Sequence, residues 1–361
     1  MVMIGMSSLE PGPWLALDVG GANLKLAHQA GPARSVPFEV WKRPAELGRA
    51  IAAAAATVPA FGRVALTMTA ELCDCYATKA AGVGAVLDAV GEAARGAPVV
   101  VWGVDGAFHT VDAARERPAL VAAANWLALA TVAARLVAPA SGVLIDIGST
   151  TTDLIPLDRG ASAARGRSDV ERLQNGELVY AGVRRTPLCA LAAEIPFRGR
   201  PTGLAAEIFA STLDVYLILG NIPSAPADLS TADGRPATPA AARDRLARMI
   251  CMDRDGFTEQ DALEFAQAAD RVLLDRLAIA LDRACSSTIG RPAAVVVSGS
   301  GEFLARRLAA RAIEPGAAVV SLRDAWGPAA SSAGCAHALL VLAMESAGEQ
   351  EHSSAAETSN S

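Results

Sequence analysis

Two stretches carry acids where a purely structural strand would not need them: Asp18-Val-Gly-Gly-Ala-Asn-Leu-Lys25 and Asp146-Ile-Gly-Ser-Thr-Thr-Thr-Asp153. Each interrupts an apolar, strand-forming run with an acid, a glycine and small polar side chains. Burying such groups without partners costs about 1–3 kcal/mol each, so something polar is expected to meet them. An Asp-x-Gly turn directs backbone N–H groups at one point, and a nest of this kind holds anions, phosphate above all. Gly20, Gly21, Gly148, Ser149 and Thr150 are the candidate nest residues, and the hydroxyls through Thr151 and Thr152 can add donors. Asp18 and Asp146 would repel phosphate directly, but each can hold Mg²⁺, which bridges to phosphate oxygens. Asp153 is either a helper beside them or a hairpin residue bonding to its own backbone. Lys25 leaves the first turn on a strand whose alternation aims it to a cleft or to solvent.

A third small-residue turn, Val297-Ser298-Gly299-Ser300-Gly301-Glu302, joins a strand to a helix. Gly299 and Gly301 allow close backbone approach there, and a helix N-terminus favours a negative or polar ligand. Glu71, Asp74 and Lys79 follow a strand ending at Thr69, in a loop position that lines clefts in α/β sheets. Arg184-Arg185 follow a strand in the second half, and a guanidinium there can grip an anion through two hydrogen bonds. Cys73-Asp74-Cys75 is the one close cysteine pair, and without a second pair it is a weak metal signal.

The elements needed to position these residues repeat. WLALDV (14–19), NLKLAHQ (23–29) and SVPFEVW (35–41) read as strands, followed by a helix over 44–57, strand 63–69, a helix around 78–95, strand 98–103 and a long Ala/Leu helix at 117–137. The second half reads as strands 142–148, 151–157 and 176–182, then a mostly helical insertion at about 185–290 with periodic segments 202–219, 238–252 and 258–286. Strand 293–299, helix 301–311, strand 317–322 and a last helix at 331–346 complete it. Without the insertion both halves read βββαβαβα, and Asp18 and Asp146 fall at equivalent places. Internal duplication of an α/β unit predicts two similar lobes facing one another across a cleft, the first at 13–139 and the second at 140–330. The last helix is expected to pack back on the first lobe, and the polar stretch 347–361 reads as a disordered tail.

The chain has 361 residues, a formal net charge of −6 and only three lysines among its cations: Lys25, Lys42 and Lys79. The acidic balance argues against a nucleic-acid or anionic-membrane partner. No uninterrupted apolar run reaches the roughly 18 residues of a membrane helix. Six scattered cysteines without a leader are expected to be reduced thiols in the cytoplasm. The histidines have no partner spacing, His337 reads as a core residue, and Trp126 as core rather than a ligand stack.

The three turns, in order and within a duplicated frame, resemble the phosphate-1, phosphate-2 and adenosine motifs of the actin, sugar-kinase and chaperone-ATPase superfamily. The wording is closest to its hydantoinase/oxoprolinase branch. LTMTAELCDCYATKAAGV (66–83), VAAANWLALA (121–130), IDIGSTTTDLIPL (145–157), GELVYAGVRRTPLCAL (176–191) and TADGRPAT (231–238) further resemble tetrahydromethanopterin-linked one-carbon transfer pathway proteins. The resemblance implies an aryl-ether synthase of methanofuran assembly. In that reaction the phenol of γ-glutamyltyramine displaces diphosphate from an aminomethyl-furan-methyl diphosphate, with Mg²⁺ at the leaving group. Arg184 or Arg185 would then take diphosphate or the glutamyl carboxylate, and Glu71 or Asp74 would serve as the phenol's base. Gly299 and Gly301 would sit by a nucleotide or the furan end. The partners implied are the diphosphate and the phenolic amine, with a homo-oligomer possible. The same nests equally suit ATP, so an ATP-dependent kinase or amide-cleaving ATPase is the alternative. A second alternative is a nucleotide-bound, non-catalytic member of a pathway complex, with the insertion as its partner surface or a substrate lid.

Overall fold

The computed structural model describes residues 12–313 and 316–359. They divide into two compact units. In chain order, the elements that matter are as follows. The first unit begins with strands β1 (Trp14–Val19), β2 (Asn23–His28) and β3 (Arg34–Pro37), then helix α1 (Leu47–Ala55), β4 (Arg63–Met68), α2 (Lys79–Ala94), β5 (Val99–Trp102), β6 (Phe108–Thr110) and α3 (Asn125–Arg135). The second holds β7 (Gly142–Ile147), β8 (Thr152–Asp158), α4 (Asp169–Asn175), β9 (Leu178–Val179), β10 (Glu194–Phe197), β11 (Arg200–Gly203), α5 (Thr212–Ile218), α6 (Pro239–Arg248), α7 (Glu259–Ser286), β12 (Ala294–Ser298), α8 (Glu302–Ala312) and β13 (Ala318–Ser321). The chain then returns to the first unit with α9 (Gly334–Ser359).

The two main sheets have the same plan. The first runs β3-β2-β1-β4-β5-β6 and the second β9-β8-β7-β12-β13. In each, the first strand pairs antiparallel with its hairpin partner and parallel with the strand that follows the first crossover. This is the duplicated βββαβαβα frame of the actin-like, ribonuclease H-like fold. β1 is buried along its whole length, as a central strand covered on both faces must be. Leu15, Leu17 and Val19 pack with Ile51 of α1 and Val86 and Leu87 of α2. By the twofold alternation of a strand, Trp14, Ala16 and Asp18 look to the opposite face, where α9 packs and from which Asn125 of α3 reaches Asp18.

Several elements differ from their reading in the sequence. The stretch 117–137 is not one helix. It contains the short turn Pro118–Val121 and α3, separated by Ala123 in the left-handed region at φ 51°. Pro118–Arg135 is apolar enough by length and composition to cross a membrane, but it is broken there and mostly buried in the protein. Of 176–182 only β9 joins the sheet, because the Ala181 N–H bonds back to the Val179 carbonyl and turns the chain out of the ladder. The insertion carries the hairpin β10–β11 as well as helices. β6 is an edge strand with no marked alternation. The final helix runs on to Ser359, through most of the segment expected to be disordered: beyond Gly348 there is no glycine or proline to stop it. Residues 360–361 lie outside the described part. Trp126 is buried, and burial depresses the His337 pKa. All six cysteines are free thiols.

An ion network runs beside the apolar packing of the insertion, where Leu213 and Leu217 of α5 meet Ala242 of α6. Arg245 of α6 is wholly buried and donates from Nε to Asp214 Oδ1 at 2.7 Å and from Nη1 to Asp233 Oδ1 at 3.0 Å. Arg235 binds both Asp233 and Asp244, and Arg254 adds a second hold on Asp244. A charge taken out of water this completely is tolerable only with such partners. Partial burial pushes the Asp233 carboxyl up, but Arg235 and Arg245 outweigh it and hold the pKa down at about 2. Its unfolded value is about 3.9. The depressed folded value means that this stabilisation is present above about pH 4 and is lost as pH falls towards 2. Urea midpoints measured between pH 5 and pH 2 should therefore fall by the equivalent of about 1–2 kcal/mol from this group. Arg235→Gln should flatten that part of the curve, and an unchanged slope in the variant would refute the assignment.

Candidate functional site

Both acidic hairpins close in the same way. The Gly20 N–H donates to the Asn23 carbonyl at 3.0 Å, and the Gly148 N–H to the Thr151 carbonyl at 2.8 Å. These two amides are therefore consumed by the turns and do not serve as anion donors, contrary to the expectation for Gly20 and Gly148. The next residues behave differently. In the first unit, the chain beyond β3 pulls back the turn carbonyls: Val40 N–H bonds Gly21 O at 2.9 Å and Phe38 N–H bonds Ala22 O at 3.0 Å. In the second, Val183 N–H bonds Gly148 O at 3.1 Å, while Arg184 and Arg185 N–H bond Ser149 O at 3.0 and 2.9 Å. With the carbonyls held on one side, the amides of Gly21 and Ala22, and of Ser149, Thr150 and Thr151, are left without a protein acceptor among the described residues. Such amides form an anion nest.

Gly182 makes the second tie possible. A Cβ there would lie 2.5 Å from Gly148 O and 2.6 Å from Thr150 N, so only glycine lets this segment press against the turn. The hydroxyls divide their work. Thr152 Oγ1, fully buried, donates to Ala181 O at 2.8 Å and helps to seat the same segment. Ser149, Thr150 and Thr151 stay half-buried at the turn, with the Ser149 and Thr150 hydroxyls 3.4 Å apart.

The acids that the repeat makes equivalent have unlike surroundings. Asp18 stands in register with Lys25 on β2 and Thr67 on β4. It is 1% exposed, accepts from Lys25 Nζ at 3.2 Å and from Asn125 Nδ2 of α3 at 3.4 Å. Lys25 is thus turned onto Asp18, whose charge it meets. Asp146 stands in register with Asp153 and with Ser298. The position of Lys25 is taken here by a second acid. Asp153 is itself neutralised by buried Arg172, whose Nη2 donates to Asp153 Oδ1 at 2.5 Å and to Glu177 O at 3.2 Å. Asp146 is half-buried and keeps a neighbouring acid rather than a lysine. Among the described residues, no three His, Cys, Asp or Glu side chains gather as a metal cage.

The remaining candidates fall out as follows. Gly299, at φ 89°, lies against the end of β7: a Cβ would meet Ile147 O at 2.2 Å and Asp146 Oδ1 at 2.7 Å. Gly301 donates its N–H to Ile147 O at 2.8 Å, and its missing side chain admits Ile147 and Val183. Both glycines therefore set the crossing of β12 and α8 over β7, beside Asp146. Arg184, expected to grip an anion, is held by Asp228 at 2.5 Å; Arg185 is exposed. Partial burial pushes the Asp228 carboxyl up, but the Ser230 N–H and Arg184 outweigh it and leave its pKa lowered. Glu71 is buried at the turn after β4, with α2 packed against its backbone at Gly82, whereas Asp74 and Lys79 are exposed. Sequence reasoning did not find Arg172, Gly182 or Asp228. Gly182 lies inside the GELVYAGVRRTP phrase, but the two charged residues have no spacing that marks them.

The Lys25–Asp18 pair yields a test by double substitution. Lys25→Met leaves a buried carboxylate with only an amide partner and should cost about 1–3 kcal/mol in chemical denaturation. Adding Asp18→Asn should recover most of that loss. A double variant as unstable as the single one would show that the lysine acts by packing alone.

A family model for hydantoinase/oxoprolinase matches residues 63–342. A Methanocaldococcus jannaschii protein is 38% identical over 264 residues, covering 72% of this chain and 78% of its own. It is named as the synthase of a furan-2-yl methanamine bearing a γ-L-glutamylaminoethyl-phenoxymethyl arm. The synthase of the same name from Methanococcus vannielii is 37% identical over 37% of this chain and 60% of its own. Among solved structures, nucleotide-free acetone carboxylase, which carries out ATP-dependent acetone carboxylation, superposes with a TM-score of 0.52 at 11% identity, over 91% of this chain and 70% of that one. That likeness speaks for the fold. Matched by the family model over most of its length, and related to the archaeal synthases on the same sequence, the chain belongs to the hydantoinase/oxoprolinase family.

Proposed function

We propose that the protein is a transferase that makes the aryl ether of a methanofuran-like one-carbon carrier. The phenol oxygen of γ-glutamyltyramine bonds to the furan-methyl carbon of an aminomethyl-furan-methyl diphosphate. The bond from that carbon to the diphosphate oxygen breaks, diphosphate leaves with the electron pair, and the phenolic proton passes to a base. The names of the archaeal relatives give the product, an ether between a γ-glutamylaminoethyl phenol and a furan-methanamine; diphosphate as the leaving group is this proposal's own part. The observation that carries the chemistry is the run of Ser149, Thr150 and Thr151 amides without a protein acceptor among the described residues, at the turn that follows Asp146 on β7.

Charge accumulates on the leaving oxygens as the carbon–oxygen bond opens, and fixed N–H donors stabilise it without having to reorganise. In this chain the carbonyl ties of Val183, Arg184 and Arg185 fix those donors in advance. Asp146 suits a hard cation held by one or two carboxylates and substrate oxygens, the usual manner of Mg²⁺. The donor set fits: Asp146 is half-buried, and Arg172 keeps Asp153 from adding a second uncompensated charge. When bound, Mg²⁺ would neutralise diphosphate charge. Asp18, already matched by Lys25, is a charge partner in the first unit and not the metal contact. The phenol's ordinary pKa of about 10 calls for a base. Of the two acids put forward for that role, Glu71 is buried and Asp74 is exposed.

Incubation with γ-glutamyltyramine, the furan diphosphate and Mg²⁺ should release diphosphate and form the ether in equal amounts, read by mass spectrometry. Asp146→Asn, folded by circular dichroism, should lose on the order of 10²–10³-fold in rate. Folded protein that makes no ether, or that instead hydrolyses ATP in a parallel arm, would refute this function.

A further inference from the structure

The Arg184 side chain was expected to meet an anion, and its contacts give it another occupation. Its N–H holds the Ser149 carbonyl, and its guanidinium donates to Asp228 Oδ2 at 2.5 Å. Its own carbonyl accepts from Ser211 Oγ at 2.9 Å and from the Leu213 N–H at 3.3 Å, at the start of α5. From there the contacts can be followed round. The Ser211 N–H donates to Asp214 Oδ2, Arg245 joins Asp214 to Asp233, and Asp233 lies in the same loop as Asp228. That loop is closed on itself, with Ala225 and Ala237 bridged and the Ala237 N–H bonded to Asp228 O. The series begins and ends on Arg184.

A ring of this kind fixes one thing that a single contact would not. Arg184 is held at its side chain by the loop and at its carbonyl by α5, so the direction of its N–H towards Ser149 is set from both ends. We infer that Arg184 and Asp228 are positioning residues for diphosphate binding, acting through the Ser149 carbonyl to aim the turn amides. The TADGRPAT segment has its place in the same device, since Asp233 closes the ring through Arg245. The insertion therefore takes part in leaving-group recognition without touching the leaving group. This rests on the proposed diphosphate chemistry, and it assigns the Arg184 guanidinium to Asp228 rather than to the substrate.

The two roles for Arg184 predict opposite outcomes. Calorimetric titration with inorganic pyrophosphate and Mg²⁺ needs neither organic substrate. Asp228→Ala should weaken pyrophosphate binding about tenfold, the lower end of effects seen for outer-shell partners. In the coupled reaction it should raise KM for the furan diphosphate far more than it lowers kcat. The exchanged pair Arg184→Asp with Asp228→Arg should recover most of the lost affinity, which a merely destabilised protein would not do. Unchanged or tighter pyrophosphate binding in Asp228→Ala would overturn the inference, because the freed guanidinium would then be the anion's ligand or irrelevant to it. A lowered unfolding midpoint with unaltered binding would overturn it as well. Wild-type protein that binds pyrophosphate but makes no ether would remove the proposed function and leave the positioning role standing. Ether synthesis unaffected by Asp228→Ala would remove the positioning role alone.

Discussion

A hairpin turn has carbonyls and amides that alternate in direction, and only one set can face a ligand. The second unit settles that choice by force: three backbone donors from residues 183–185 take hold of two turn carbonyls. Everything polar about the site follows from this. The strap must lie close enough to reach them, which requires Gly182 to have no side chain and Thr152 to reach Ala181. It must also leave the sheet early, which is why β9 is so short and ends at the tight bond from Ala181 to Val179. The broken ladder at Tyr180 is therefore part of the construction of the site, since a longer strand would carry the same amides away along the sheet.

The duplicated frame shows how one exchange divides labour between copies of a motif. Positions 25 and 153 are equivalent, each opposite the acid of its own hairpin. A lysine at the first makes an internal ion pair. An aspartate at the second would place two acids side by side, a like-charge arrangement that costs stability across a strand pair. Arg172 takes up that cost from outside the hairpin, and its own reach is set by α4, begun by the capping box of Ser168 and Glu171. The acid of the first copy is buried and paired with a lysine, whereas that of the second stands half-buried with another acid opposite it.

Much of this was legible in the residues. The repeat, both hairpins and the parallel strands after them were visible because burial imposes periodicity and turns demand glycine. Even the Lys25–Asp18 contact is implicit there, since a hairpin closed around Gly20 and Asn23 sets positions 18 and 25 directly opposite. Other features left no local trace. Ala123 adopts a left-handed conformation inside an alanine-rich stretch, where nothing in the composition signals a break. Arg172 and Asp228 are ordinary charged residues whose partners lie 19 and 44 positions away. Which amides of a glycine turn remain open also depends on a strap that belongs to another part of the chain, so of the expected nest residues Gly20 and Gly148 drop out, Gly21, Ser149 and Thr150 stay, and Ala22 and Thr151 join them.

The final helix has a bearing on how the molecule comes into being. α9 covers the face of β1 that bears Ala16 and Asp18, yet some three hundred residues separate the two in the chain. At a synthesis rate of about 5–20 residues per second, roughly 15–60 s pass between the emergence of that strand from the ribosome and that of its cover. Throughout this interval the second unit can complete its own sheet, while the first waits with one side of its central strand bare. A strand made long before its cover is thus among the last to be finished, and a chaperone that shields an apolar sheet would find its natural client there.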